Sequence, residues 1–375
     1  MASCFTANYN TTKYFYFGVF AITAVLTWIL RDYAATPLSH VGPMRSCLGI
    51  QDTGLRADCA GKQVVLRMSF GNFLFFAAHF LCLLGVSKKE DPRRHLHTGL
   101  LPLQLVVWVG TLVAMFAIPS YVFDTYGQIA RVLAGLFLII QIVLLLGFIY
   151  IINDFLISKD ELSHRVALVG ATTSMLAGGL VILGFMYHYY APYANCGLNI
   201  FFITWTLIMA LVYVALSVSP WRAKGAGLLT AAIVFIYTTV VLFNALSSEP
   251  EDDRCTRLTG VAGGLQIFFF FFGLVIIGVG VMTSSLEGSS FQIGNDSSAD
   301  EGLPYRPDFY HLIFMLASAY IAMIFTSWSL QGASRRLTNS RDWPSVWVKI
   351  CSQWLCVLLY SWSLVAPAIF KDREF

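Results

Sequence analysis

Charged residues are scarce in this chain. Only 12% of its 375 residues are Asp, Glu, Lys or Arg, whereas 57% are hydrophobic. Soluble proteins carry about twice that share of charge. The mean hydropathy of +0.69 points the same way. This composition excludes a soluble globular domain and predicts an integral membrane protein.

Motifs of catalysis, nucleotide binding and metal binding are missing as well. The chain has no glycine-rich phosphate loop, no zinc-type Cys/His spacing, no His-Glu-X-X-His helix and no Gly-X-Ser-X-Gly elbow. Its Lys and Arg form no basic block, so the net charge of +3 does not indicate nucleic-acid binding. Residues 1–13 are too polar for a cleavable signal sequence. We therefore expect a protein that is not an enzyme and needs no metal or cofactor.

What the chain does contain is a series of long apolar segments. A helix needs about 20 residues to cross the hydrocarbon of a bilayer. Segments near this length, or longer, are 14–30, 64–86, 99–118, 128–157, 166–190, 199–219, 227–246, 264–282, 309–328 and 346–370. They predict an all-α integral membrane protein with about ten transmembrane helices in a single polytopic domain, 1–375. The segment 284–306 is rich in Ser, Gly and acidic residues and predicts a flexible cytosolic loop.

The fourth predicted span, residues 128–157, is longer than a bilayer requires. A helix of roughly 30 residues reaches about 45 Å, against about 30 Å of hydrocarbon. Gln141 is its only strongly polar side chain between Arg131 and Asn153. A helix that outruns the bilayer can tilt across its neighbours. We predict that this helix is a diagonal that joins two groups of helices.

The cysteines indicate the orientation. Four of the eight fall in predicted loops on one side of the membrane: Cys47, Cys59, Cys196 and Cys255. Disulfides persist on the lumenal or extracellular side, so we expect both termini to be cytosolic. Lys and Arg are nearly equal on the two sides and do not decide the orientation. Four cysteines allow three pairings, of which Cys47 with Cys59 and Cys196 with Cys255 is the simplest; free thiols are the alternative.

Polar side chains at membrane depth are the candidates for a functional site. They are His79, Gln104, Arg131, Gln141, His188, Asn244, Gln266, His311, Lys349 and Gln353. Those near predicted helix ends can reach the interface without any further role. Gln141 and His79 lie deeper and either hydrogen-bond between helices or line a polar groove. As candidates for a lipid groove we select Arg131, Gln141, His188, Gln266 and Lys349.

Several segments resemble one known family. Trp343-Pro344, Val346-Trp347-Val348-Lys349 and Leu364-Val365-Ala366-Pro367 resemble the C-terminal signature of the serine incorporator (SERINC) family. Asn199-Ile200-Phe201-Phe202-Ile203-Thr204-Trp205 after Cys196 is similar to the family as well. The resemblance runs from about residue 14 to residue 372. Arg31-Asp32-Tyr33 makes the chain most similar to plant-type members.

The resemblance implies a ten-helix fold of two bundles joined by a long tilted fourth helix. It also implies a lipid role, because the family is associated with supplying serine for phosphatidylserine and sphingolipid synthesis and resembles lipid-binding scramblases. We expect membrane lipids, phosphatidylserine or other phospholipids, as partners. The expected location is the endoplasmic reticulum, Golgi or plasma membrane. A homo-oligomer is left open.

Two alternatives to lipid scrambling stay open. One is a carrier of serine or another small solute, and the other is a non-transporting organiser of lipid-synthesis enzymes. Many members of the family have an acidic residue in the last part of the fourth helix, where this chain reads Leu146-Gly147-Phe148. We therefore expect no mechanism here that depends on that carboxylate.

Overall fold

The computed structural model describes residues 8–38, 40, 47, 51–158, 161–223, 225–250, 255, 303, 305–326, 328 and 343–369. Within these residues the chain forms helices and no β-strand. The predicted all-α class is confirmed. The predicted span 264–282, most of the predicted flexible loop 284–306, and the groove candidate Gln266 lie outside the described residues.

The helices follow one another with short connections. They are α1 (Tyr9–Tyr33), α2 (Ala35–Leu38), α3 (Thr53–Leu83), α4 (Arg94–Thr98), α5 (Leu101–Ala114) with a 3₁₀ turn (Met115–Ala117), α6 (Ser120–Ser158), α7 (Leu162–Tyr190), α8 (Gly197–Val218), α9 (Leu228–Leu246), α10 (Pro307–Thr326) and α11 (Trp343–Ile369). Among the described residues, eight helices are long and apolar enough to cross a membrane: α1, α3 and α6 to α11. The segment of α5 and its 3₁₀ turn is apolar but shorter.

Two helices begin much earlier than the sequence predicted. Helix α3 starts at Thr53 rather than at residue 64, because the Asp52 carboxylate caps it by accepting from the backbone N–H groups of Gly54 at 2.7 Å and Leu55 at 3.1 Å. Helix α6 starts at Ser120 rather than at residue 128. Both added stretches are polar, so a search for apolar runs reads them as loops.

The chain divides into two compact units. Unit 1 comprises residues 1–141 and 268–340, and unit 2 comprises residues 142–267 and 341–375. The boundary falls between Gln141 and Ile142, inside α6, so this long helix contributes residues to both units. The tilt of α6 stays a prediction.

In unit 1, a buried arginine closes the connection between α5 and α6. The Arg67 guanidinium, fully buried, donates from Nη1 to the carbonyl oxygens of Met115 and Ile118, both at 2.6 Å. Proline has no N–H, so Pro119 cannot pair with a carbonyl of the preceding turn. The guanidinium carbon also lies 4.2 Å from the centroid of the Phe123 ring. Arg67 thus supplies donors to the carbonyl oxygens of this connection, where Pro119 supplies none.

Asn72 connects four helices of unit 1. Its Oδ1 accepts from the Thr23 hydroxyl on α1 at 3.1 Å and from the Trp108 indole on α5 at 3.2 Å. Its Nδ2 donates to the Ser318 hydroxyl on α10 at 2.9 Å. Asn72 lies on α3 and is fully buried. Its amide therefore fixes how α1, α5 and α10 pack around α3.

In unit 2, a glycine and a buried amide determine how the helices pack. A Cβ on Gly179 of α7 would overlap the ring of Phe235 on α9, whereas a Cβ on Gly178 would meet nothing within 4 Å. On α11, the buried Gln353 donates to the Thr206 hydroxyl of α8 at 2.8 Å and to the Thr238 carbonyl of α9 at 3.1 Å. Close approach of α7 to α9 therefore depends on Gly179.

Both predicted disulfide pairings are present. Cys47 is bonded to Cys59, and Cys196 is bonded to Cys255. The second bond closes a loop with a sequence separation of 59 residues, against 12 for the first. Cys196 directly precedes α8, so its bond ties the start of that helix to a segment distant in sequence.

The two adjacent glycines of α7 give a matched pair of variants. Gly179→Ala should lower the free energy of unfolding by about 1–3 kcal/mol, because the new methyl group collides with the Phe235 ring. Gly178→Ala should be neutral or stabilising by up to about 1 kcal/mol, because alanine favours the helix. Thermal unfolding in detergent measures both. Equal effects of the two variants would contradict this packing.

The disulfide between α8 and residue 255 can be tested by a double-mutant cycle. Cys196→Ser should cost about 2–4 kcal/mol of stability by releasing the loop in the unfolded chain. Cys196→Ser combined with Cys255→Ser should cost about the same, because either change breaks the same bond. A double variant that loses much more stability than either single variant would show that the two cysteines are not partners.

Candidate functional site

Among the described residues, the predicted groove residues Arg131, Gln141, His188 and Lys349 share no hydrogen-bond partner. Arg131 and Gln141 belong to unit 1, whereas His188 and Lys349 belong to unit 2. Gln266 lies outside the described residues. His188 is exposed near the end of α7, with its ring 4.8 Å from that of Tyr189. The groove assignment stays a prediction for each of them.

Arg131 is engaged at the end of a helix. Its Nη2 donates to the carbonyl oxygen of Trp328 at 3.0 Å, and its Nη1 donates to the Gln128 amide oxygen at 3.0 Å. Trp328 follows α10 in the left-handed region, with φ of 62°, and its N–H donates back to Met323 at 2.9 Å. A cation is favourable at the negative end of a helix dipole. Arg131 thus stabilises the end of α10.

In unit 2, Lys349 likewise binds the end of a neighbouring helix. Its Nζ donates to the Asn244 carbonyl oxygen at 3.1 Å and to the Ser248 hydroxyl at 2.6 Å. Both acceptors lie at the C-terminal end of α9, which ends at Leu246. The ammonium group therefore neutralises the dipole of α9 and anchors α11 beside it.

Gln141 differs from these two cations. Its side chain is half-buried, and within the described part of the chain its Oε1 is buried without a hydrogen-bond partner. A buried amide oxygen without a partner costs free energy. Within the described chain this oxygen therefore makes no hydrogen bond between helices.

A cavity that the sequence did not reveal lies at one end of unit 2. It has a volume of about 750 Å³ and lies between the ends of α6 and α8 and the start of α9. Charged and polar side chains on its wall are Asp154, Ser219 and Arg222. Apolar lining residues are Ile157, Val218, Pro220, Ala223 and Ala226. The wall of the cavity thus combines two opposite charges with apolar side chains. We call it the α6–α8 cavity.

The backbone of the α6–α8 cavity depends on one glycine. Gly225 has a φ of +86°, in the left-handed region that favours glycine, and a Cβ there would lie 3.1 Å from Oδ1 of Asp154. Its carbonyl oxygen accepts from Nδ2 of Asn153 at 2.6 Å. The Oδ1 of Asn153 is buried and has no partner among the described residues. The turn therefore holds Asp154 and a polar oxygen beside the cavity.

The arrangement can bind a small group that carries both charges. The Arg222 guanidinium can pair with a phosphate or carboxylate in bidentate geometry, and the Asp154 carboxylate can accept from an ammonium group. The sequence search missed both residues because it considered only polar side chains at membrane depth. The signal that could have found them is the placement of Asp154 and Arg222 at the ends of apolar segments.

Comparison with known proteins places the chain in a family. A family model described as "Serine incorporator (Serinc)" matches residues 1–300 and 292–373. "Serine incorporator 3" of Bos taurus is 29% identical, covering 84% of this chain and 80% of its own. "Probable serine incorporator" of Nematostella vectensis is 30% identical, covering 84% and 81%. "Probable serine incorporator" of Monosiga brevicollis is 27% identical, covering 98% and 92%.

The matches extend over nearly all of the chain and agree with its apolar helices. The resemblance to the serine incorporator family is confirmed, and the similarity to plant-type members stays a prediction. The names of these relatives describe serine incorporators and name no enzymatic activity. The chain is therefore a multi-pass membrane protein that belongs to the serine incorporator family.

Proposed function

We propose that this protein binds phospholipid headgroups in the α6–α8 cavity and moves phospholipids between the two leaflets. In this way it supports the incorporation of serine into phosphatidylserine and sphingolipids. The observation that carries the proposal is the presence of both Asp154 and Arg222 on the wall of one cavity. The names of the relatives, which refer to serine incorporation, agree with a role in the supply of serine-containing lipids.

The chemistry of the cavity suits a headgroup. A phospholipid headgroup presents a phosphate, often an ammonium group, and in phosphatidylserine a carboxylate as well. Charge-assisted hydrogen bonds from Arg222 to phosphate and from the ammonium group to Asp154 satisfy these charges. The apolar side chains of Ile157 and Val218 provide contacts for the glycerol and the first methylene groups. A volume of about 750 Å³ lies within the range of ordinary ligand pockets.

The position of the α6–α8 cavity also suits a membrane lipid. It opens where α6 and α8 end, and helix ends are where a spanning segment reaches the polar interface. In our proposed orientation, with cytosolic termini, this end faces the cytosolic leaflet. Phospholipid headgroups lie at the same depth. A lipid can therefore place its headgroup in the cavity while its acyl chains stay in the hydrocarbon.

A serine carrier is the second candidate function. Free serine carries an ammonium group and a carboxylate, and Asp154 and Arg222 could pair with these groups too. The two functions differ in what crosses the membrane, so one preparation can distinguish them. An organiser of lipid-synthesis enzymes would move neither lipid nor serine.

The cavity is tested by replacing Arg222 in purified protein reconstituted into liposomes. Arg222→Gln should slow the movement of a fluorescent phosphatidylserine between leaflets several-fold, because the guanidinium no longer binds the phosphate. Bleaching of the outer leaflet with a membrane-impermeant reductant measures the rate. Arg93→Gln is the matched control, since Arg93 is exposed and pairs with Asp91 in unit 1. That control should leave the rate unchanged.

Uptake of radioactive serine by the same liposomes separates the candidates. Lipid movement without serine uptake supports the proposal. Serine uptake without lipid movement would establish a carrier, and the absence of both would favour an organiser. Equal lipid rates for the wild type and Arg222→Gln would remove the α6–α8 cavity from the mechanism.

Gln141 provides an independent test of a polar path. Because its Oε1 is buried without a partner in the described chain, Gln141→Leu should keep or raise the melting temperature. If its oxygen lines the lipid path, the same variant should slow lipid movement several-fold. Gln353→Leu is the matched control: its amide has two hydrogen-bond partners, so this change should lower the melting temperature. Reduced stability of Gln141→Leu with unaltered lipid movement would contradict the prediction.

A further inference from the structure

Unit 1 buries three histidine rings that the proposed function does not use. They are His79 on α3, His97 on α4 and His311 on α10, with exposed fractions of 6%, 0% and 0%. Nδ1 of His97 lies 3.0 Å from Nε2 of His311. The ring centroids of His79 and His311 lie 4.8 Å apart. We call these three residues the histidine cluster.

The hydrogen positions of two members follow from their partners. The Tyr305 hydroxyl donates to the Tyr9 carbonyl oxygen at 3.2 Å, so it accepts from Nε2–H of His97 at 2.8 Å. A neutral His97 then has a bare Nδ1, which accepts from Nε2–H of His311. The bare Nδ1 of His311 agrees with this, since it is buried without a partner in the described chain. Burial lowers the pKa of His97 to about 3.

The same count of donors and acceptors shows that a neutral His79 has one hydrogen too few for its partners. Its Nδ1 lies 2.8 Å from the Phe75 carbonyl oxygen, and its Nε2 lies 2.8 Å from Oε1 of Gln104. Both partners are acceptors, whereas a neutral imidazole has a single N–H. Turning the Gln104 amide does not help, because its Nε2 donates to the Leu96 carbonyl oxygen at 3.0 Å. In the neutral state, one of these three contacts always brings two lone pairs together.

We propose that His79 is a proton-binding site inside unit 1. With a proton on each ring nitrogen, the imidazolium donates to Phe75 and to Gln104, and the Gln104 amide keeps its bond to Leu96. All three contacts then hold a hydrogen. The bound proton thereby ties α3 to α5 through Gln104, and its loss breaks one of the three contacts.

The groups that face His79 come from four other helices or their flanks. They are Tyr16 of α1, His97 of α4, Gln104 of α5 and His311 of α10, and the rings of Tyr305 and Tyr310 lie against His97 and His311. At the start of α10, the Asp308 carboxylate is paired with Arg306 at 2.6 Å. The described contacts of His79 are with oxygens and aromatic rings and include no carboxylate. The proton is therefore held by carbonyl and amide dipoles.

Nuclear magnetic resonance of the full chain in lipid bilayers tests the proposal. The chain has seven histidines, few enough to resolve after ¹⁵N labelling of the rings. His79→Asn identifies the signals of His79 by their disappearance. We expect both nitrogens of His79 to be protonated at the acidic end of a titration from pH 5 to pH 8, and one to lose its proton as the pH rises.

Gln104→Met separates this site from an ordinary buried histidine. The variant removes the acceptor at Nε2 at similar volume, so the affinity of His79 for its second proton should fall at least about tenfold, a shift of about one pH unit. Gln353→Met, in unit 2, is the control and should leave the signals of His79 unchanged. A His79 that keeps one bare nitrogen from pH 8 to pH 5 in the wild type would overturn the proposal, as would an unchanged titration in Gln104→Met. The wild-type titration decides even if Gln104→Met does not fold.

Discussion

Hydrocarbon offers no hydrogen bonds, so every polar group of a spanning helix needs a partner inside the protein or access to water. Arg67 shows the strength of this constraint in unit 1. Burial of an unpaired guanidinium would be prohibitive, yet here two carbonyl oxygens at the end of the 3₁₀ turn accept from its Nη1. Asn72 obeys the same rule with three partners on three other helices. Apolar helix surfaces pack equally well against lipid and against other helices. The polar contacts therefore decide which helices pack together.

The limits of the sequence follow from the same physics. Apolar runs predicted the spans, because hydrocarbon thickness imposes their length. They did not predict that α3 begins at Thr53 or α6 at Ser120, since turns of helix outside the hydrocarbon can be polar. Asp52 can be recognised as a helix cap only when the following residues are known to be helical. The disulfide pairing was accessible, because few cysteines lie in loops on one side.

The candidate site shows a different limit. Arg131 and Lys349 were selected because ions at membrane depth are costly, but each proved to bind carbonyl oxygens at the end of another helix. The tertiary structure decides which helix ends lie near a given cation. No pattern in a single sequence predicts this. Asp154 and Gly225 meet only because a glycine at positive φ lets the backbone turn beside the carboxylate. A local sequence rule could not have paired them.

Arg67 and Arg222 have the same side chain and opposite roles. Arg67 is fully buried, so its charge must be matched by the protein and its hydrogen bonds belong to the fold. Arg222 is exposed, and its described bond to the Ser217 carbonyl oxygen is long, at 3.4 Å. Exposed charges contribute only about 0–1 kcal/mol to stability, so the fold gains little from Arg222. A change in lipid movement after its replacement therefore reports on the contact between guanidinium and ligand, because the helices on either side of Arg222 keep their packing.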